Sequence, residues 1–191
     1  MKYFLIGFTL LLTQTTQAQL TTIVSWRGTN RSGSDTIFYN PDSKLVWNDF
    51  KGRPDNKSIA AAMTSSGFGY TCSMRSRNNK GGLYISVYCF YDKYNSWVKP
   101  IGANDYALTH EQHHFDITYL VTCAFIRKLK TATFTIDNYT SVLDQLYDES
   151  YDELEKMQNE YDGKTMNGRL RNVQAEWNYK IDKQLSMIVI N

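Results

Sequence analysis

His110, Glu111 and His114 carry the clearest chemistry in this chain of 191 residues. Spaced as H-E-x-x-H on a helix, at about 100° per residue, His114 stands about 40° around from His110 and one turn along. Both imidazoles can therefore offer a ring nitrogen to a single tetrahedral ion, and zinc is the ion this pattern favours. Glu111 falls about 100° away on the flank of that face. It can take a proton from water activated by the ion and pass it to a leaving amine. All three histidines of the chain lie within residues 110–114, so no further imidazole is available as a ligand. His113 and Asp116 point to another flank, where they read as a helical side-chain pair or as a contact to substrate or ligands. The competing reading of the whole segment is a solvated polar turn of helix.

A metal site of this kind needs a rigid, dry helix to carry it. Asn104 is a suitable N-cap with Asp105 in the first turn. Tyr106, Ala107, Phe115, Ile117, Tyr119, Leu120, Val121, Ala124, Phe125 and Ile126 leave few polar faces, and Arg127, Lys128 and Lys130 suit a C-terminus. Upstream, Thr22–Trp26 and Thr36–Tyr39 are β-prone, separated by the polar stretch 27–34, and Asn40-Pro41-Asp42 marks a turn. Leu45–Phe50 reads as a strand entering the core. Phe68–Arg77 and Leu83–Tyr91 read as a hairpin joined through residues 78–82. A Lys80-Gly81 turn in that hairpin sets Cys72 opposite Cys89, where a disulfide or two buried free thiols are both open; Cys123 reads as a core residue.

Downstream, Tyr139, Val142, Leu143, Leu146, Leu154, Met157 and Tyr161 recur at helical spacing, from a cap at Asp137 or Asn138 to Gly163. The acidic run from Asp144 to Glu155 is its solvated face. A last helix, opened by Asn167 or Gly168, carries Leu170, Val173, Trp177, Ile181, Leu185 and Ile188 on one stripe. Strands first and helices afterwards predict an α+β fold: an N-terminal antiparallel β region with a hairpin, then a zincin-like H-E-x-x-H helix and two further helices.

Residues 1–18 read as a signal peptide, with Lys2, the apolar run Phe4–Leu12 and the small-residue cleavage site Thr16-Gln17-Ala18. Residues 19–191 then form one mature domain of normal size, exported to a bacterial periplasm or secreted, with no transmembrane segment after cleavage. The formal net charge of +2 drops to about +1 without Lys2, and nothing calls for a nucleic-acid partner.

The string His110-Glu111-Gln112-His113-His114-Phe115-Asp116-Ile117 resembles the H-E-Q-x-H-F-D-I hallmark of an uncharacterised family of exported bacterial proteins, predicted to be zinc-dependent proteases. The likeness extends to Leu45-Val46-Trp47-Asn48-Asp49-Phe50-Lys51-Gly52, to Ser96-Trp97, and to Tyr161-Asp162-Gly163-Lys164-Thr165 with Gln174 and Trp177. It implies a metallo-hydrolase of unestablished substrate.

Similar proteins carry a histidine where this chain has Asn167, which the resemblance makes the third metal position. The alternatives are the carboxylates Asp162, Glu160, Glu153 and Glu149, or no third ligand at all. The expected function is an exported metallopeptidase using one zinc ion on a peptide or protein substrate, with Glu111 as base and Tyr161 as the oxyanion candidate. Its alternative is a catalytically degenerate binding module that keeps the fold without a full zinc site. Hydrolysis of another amide, such as a cell-wall cross-link, is a third reading.

Overall fold

The computed structural model describes residues 19–27, 35–77 and 80–188. The fold is α+β, with strands leading and three helices following. The strands are β1 (Thr21–Trp26), β2 (Thr36–Phe38), β3 (Ala62–Met63), β4 (Ser66–Arg77), β5 (Lys80–Asp92) and β6 (Trp97–Val98). The helices are α1 (Asp105–Thr131), α2 (Tyr139–Thr165) and α3 (Arg171–Ser186).

Strand β5 is the centre of the sheet. Its alternate residues Leu83, Ile85, Val87, Cys89 and Tyr91 are all buried on one face, as period-two patterning requires of a face packed on helices. β4 pairs antiparallel along one side of it, and β1 and β2 share the other side. The sheet is not wholly antiparallel, because β1 runs parallel to β5 while β2 runs against it. β3 and β6 form a separate two-stranded antiparallel pair.

The β4–β5 register differs from the expected one by four residues. Arg77 pairs with Lys80, so the connection is residues 78–79, which lie outside the described residues, as does most of the 27–34 stretch. Cys72 consequently sits opposite Ile85, and Phe68 opposite Cys89. Cys72, Cys89 and Cys123 are all free thiols, the first exposed and the other two buried. The same residues share each face in both registers, but the observed one moves Cys72 away from Cys89 and excludes a disulfide between them. The leader 1–18 also lies outside the described residues.

Helix α1 packs on β1, β4 and β5 as well as on α2 and α3, so it is covered on most faces. Asn104 caps it, its side chain accepting from the Ala107 amide. Burial reaches seven polar or charged residues of this helix: His110, Glu111, Gln112, His113, Asp116, Thr118 and Thr122. Each needs a partner, and the partners tie the helix to its surroundings.

Gln112 accepts from the Leu45 amide at 2.8 Å and donates to Asp116 at 2.9 Å, while the Tyr39 hydroxyl donates to Asp116 at 2.7 Å. Those bonds dock residues 39–50 against α1. Leu45–Phe50 is a 3₁₀ turn over Trp47–Asp49 rather than a strand, its Asp49 side chain accepting from the Val46 amide. Gly52 follows where a Cβ would fall 2.6 Å from the Tyr94 carbonyl oxygen, so only glycine fits. His113 and Asp116 do not pair. His113 contacts the Thr109 carbonyl and Asp182 of α3, whereas Asp116 faces Tyr39.

Replacing Asp116 by Ala strands two buried donors, the Tyr39 hydroxyl and the Gln112 amide, and is expected to destabilise the fold by about 2–4 kcal/mol. Lys44 reaches the same carboxylate at 3.5 Å from an exposed position, so Lys44→Met should cost less than about 1 kcal/mol. Urea denaturation of both variants reads the contrast, and equal losses would contradict it.

α2 begins after Asn138, as expected, but runs through Gly163 to Thr165, and α3 begins at Arg171 rather than beside Gly168. The difference lies in the junction. Met166, Asn167 and Gly168 are left-handed, with φ of 50°, 53° and 76°, and end α2 with a sharp turn instead of opening α3. Among the described residues no helix is long and apolar enough to cross a membrane.

Candidate metal centre

α1 and α2 bring three donor atoms together. Asp162 Oδ1 lies 3.1 Å from His110 Nε2 and 3.0 Å from His114 Nε2, and the two Nε2 atoms are 3.2 Å apart. Ligands about 2.0–2.2 Å from a tetrahedral zinc are separated by about 3.3–3.6 Å, so this near-equilateral triangle approximates one face of such a site, slightly contracted.

The other ring nitrogens fix what the triangle presents. Gln158 Nε2 donates to the His114 carbonyl at 2.8 Å and to Thr118 Oγ1 at 3.2 Å, which turns its Oε1 onto His114 Nδ1. Gln174 Nε2 donates to the Tyr161 hydroxyl and to Asn178, and its Oε1 lies 2.8 Å from His110 Nδ1. Facing acceptors, both Nδ1 atoms carry hydrogen. In the neutral rings both Nε2 atoms then present lone pairs. Two nitrogen lone pairs and a carboxylate oxygen converge on one point, which only a proton or a cation between them stabilises. Partners that hold the far nitrogen in this way are how proteins orient histidine ligands.

Without a metal, the proton takes that place. Burial alone would lower the His114 pKa, but the Asp162 hydrogen bond and the Glu111 and Asp162 charges outweigh it and raise the pKa. Burial would raise the Asp162 pKa, but hydrogen bonds and charge from His110 and His114 hold it well below the usual carboxylate range. The signs are opposite. Asp162 contributes stability above its unfolded value of about 3.9 that is lost as pH falls through its lower folded value. His114 contributes stability that is complete below about 6.5 and lost as pH rises through its raised folded value. Chelated protein should therefore lose melting temperature from pH 6 to pH 8, and added zinc should restore more at pH 8, where protons no longer compete. A zinc-dependent gain that is flat over this range would contradict the assignment.

Glu111 is buried beside the triangle, and its Oε2 has no hydrogen-bond partner in the protein. A carboxylate oxygen so placed is costly unless water or a ligand meets it. It lines a cleft of about 670 Å³ together with His110, His114 and Asp162. One wall is the segment Ile59–Ser66; the other is the face of α2 from Tyr151 to Asp162, followed by Asn167–Arg169.

The remaining candidates fall elsewhere. Asn167 lines the cleft, but the oxygen that meets both histidines belongs to Asp162. Glu153 pairs with Lys128 at 3.0 Å and Glu149 accepts from Gln145 at 2.9 Å. At 1.5 Å per residue they stand about 13 Å and 19 Å back along α2 from Asp162. Glu160 is exposed on another face of α2. Tyr161 is not an oxyanion donor. It is fully buried, stacks on the His110 ring at 4.7 Å, and directs its hydroxyl to the His110 carbonyl while accepting from Gln174. Burial pushes its pKa up, so it remains a neutral platform for the histidine.

Gln158, which is not among the residues expected at the site, sits four residues before Asp162 and hence on the same helical face. No family model, curated protein or solved structure matches the chain. The reading of the site therefore stands on its own residues.

Proposed function

We propose that the protein is a zinc-dependent hydrolase of peptide bonds, with His110, His114 and Asp162 as ligands and Glu111 as general base. The observation that carries this is the convergence of two imidazole nitrogens and a carboxylate oxygen beside a buried carboxylate oxygen that lacks a partner. Zinc suits two imidazoles and one carboxylate, the set found in open, catalytic sites rather than closed structural ones.

Bound there, the ion would supply Lewis-acid polarisation and make water acidic enough to attack near neutral pH. The chain supplies the rest. Glu111 accepts a proton from the attacking water and returns it to the amide nitrogen as the C–N bond breaks, leaving a carboxylic acid and an amine, and the acid then passes its proton to the amine to give a carboxylate and an ammonium. Gln158 and Gln174 hold the two imidazoles in the tautomer that exposes Nε2. The cleft along α2 extends about 16 Å from Asp162 to Tyr151, room for an extended segment of four or five residues.

The binding-module alternative drew its support from the absent third histidine, and Asp162 supplies a third donor in its stead. Export through the leader at residues 1–18 remains part of the proposal, resting on the sequence pattern alone. The direct test is to purify the protein, measure its zinc content, and follow cleavage of a mixture of quenched fluorescent peptides with and without a chelator. Zinc near one equivalent with cleavage lost on chelation supports the reading. Full zinc with no cleavage of any peptide counts against it.

A further inference from the structure

We propose that the side-chain amide of Asn167 donates a hydrogen bond to the oxyanion formed on the substrate carbonyl, a role that rests on the hydrolytic reading above. As water adds to the carbonyl carbon, the π pair moves onto oxygen, and that oxygen needs a donor aimed at its new charge. Arg169 and Asn159 also line the cleft, but several nearer donors are committed. Tyr161 is bonded to the His110 carbonyl, the Tyr106 hydroxyl donates to the Gly168 carbonyl at 2.6 Å, and Gln158 holds the His114 carbonyl. Tyr151 lies eleven residues back along α2, about 16 Å away.

Asn167 lines the same cleft as His110, Glu111, His114 and Asp162, and its side chain makes no hydrogen bond among the described residues. Its backbone is fixed by the site itself. The Asn167 amide donates to the carbonyl of Asp162 at 2.8 Å, and Gly168, next along, is so close to the imidazole that a Cβ would fall 3.3 Å from His110 Nδ1. The Gly168 amide also donates to Thr165 Oγ1 at 3.1 Å. The left-handed turn is thus keyed to one ligand through Asp162 and to another through His110, with Asn167 between them. Left-handed residues other than glycine persist where the surroundings over-determine them, often at functional sites.

Asparagine tolerates a φ of 53° better than most residues, so its presence has a purely conformational explanation as well. Two substitutions separate the explanations. Asn167→Asp keeps the size and the conformational tolerance but offers only acceptors at neutral pH, and Asn167→Gly keeps the backbone but removes the side chain. With zinc-loaded protein and the best-cleaved peptide, both should lower kcat by roughly 10²–10³-fold. KM and zinc content should stay at the parent values. Affinity for a phosphinic analogue of that peptide, which presents tetrahedral anionic oxygen, should fall by a similar factor. Unchanged kcat in the two variants overturns the inference and leaves the hydrolytic reading standing. Loss of zinc in either would make Asn167 a ligand and overturn it as well, whereas a parent protein with full zinc and no turnover defeats both.

Discussion

Glu111→Gln should leave zinc bound and lower peptide hydrolysis by about 10²–10⁴-fold or more, the largest kinetic effect expected of a change that keeps the metal. The amide keeps the shape of the carboxylate but cannot accept the proton of the attacking water. Glu111 Oε2 makes no hydrogen bond in the fold, and Thr64 holds the Glu111 backbone carbonyl, not its side chain, at 3.1 Å. Removing a buried carboxylate oxygen that has no protein partner should if anything leave the fold as stable as before. The measurement is steady-state turnover beside metal content on the same preparation. Turnover equal to that of the parent would remove Glu111 from the mechanism, even if zinc is present.

The second large effect is on the metal. His110→Ala, His114→Ala and Asp162→Ala each take one corner from the triangle and should each reduce zinc binding below one equivalent. Gln158→Ala removes the partner of His114 Nδ1, together with the bonds to the His114 carbonyl and Thr118, but no metal ligand, and should weaken affinity by about 10–100-fold. Glu149→Gln and Glu153→Gln should leave affinity unchanged, since those carboxylates are engaged with Gln145 and Lys128. Competition titration against a chromophoric chelator ranks all six. Retention of full affinity in Asp162→Ala, with loss in Asn167→Ala, would return the third position to Asn167.

Much of this arrangement was legible in the residues. The H-E-x-x-H spacing, the Asn104 cap and the apolar surroundings placed two histidines and a glutamate on one covered helix, and α1 has that form. Apolar periodicity found α2 and α3, because an amphipathic stripe is a local property of the chain. Register was not local. The shift of four residues between β4 and β5, with Arg77 opposite Lys80, keeps the same residues facing the core as the expected register does.

The third donor was hidden for a similar reason. Asp162 stands 48 residues from His114, and several acidic residues on α2 shared its chemistry. What singles it out is how α2 packs on α1, through a core that includes Leu154 and Tyr161. Leu45–Phe50 misled in another way. Leu45 and Phe50 are buried, but the Val46–Asp49 hydrogen bond closes the residues between them into a 3₁₀ turn that leaves Val46 exposed.

Zinc-edge anomalous diffraction from crystals of the zinc-loaded protein tests the central claim most directly. The account predicts one strong peak about 2.0–2.2 Å from His110 Nε2, His114 Nε2 and Asp162 Oδ1, with Glu111 outside bonding distance. A peak bonded to Asn167 in place of Asp162, or no peak between the two histidines at full zinc loading, would contradict it.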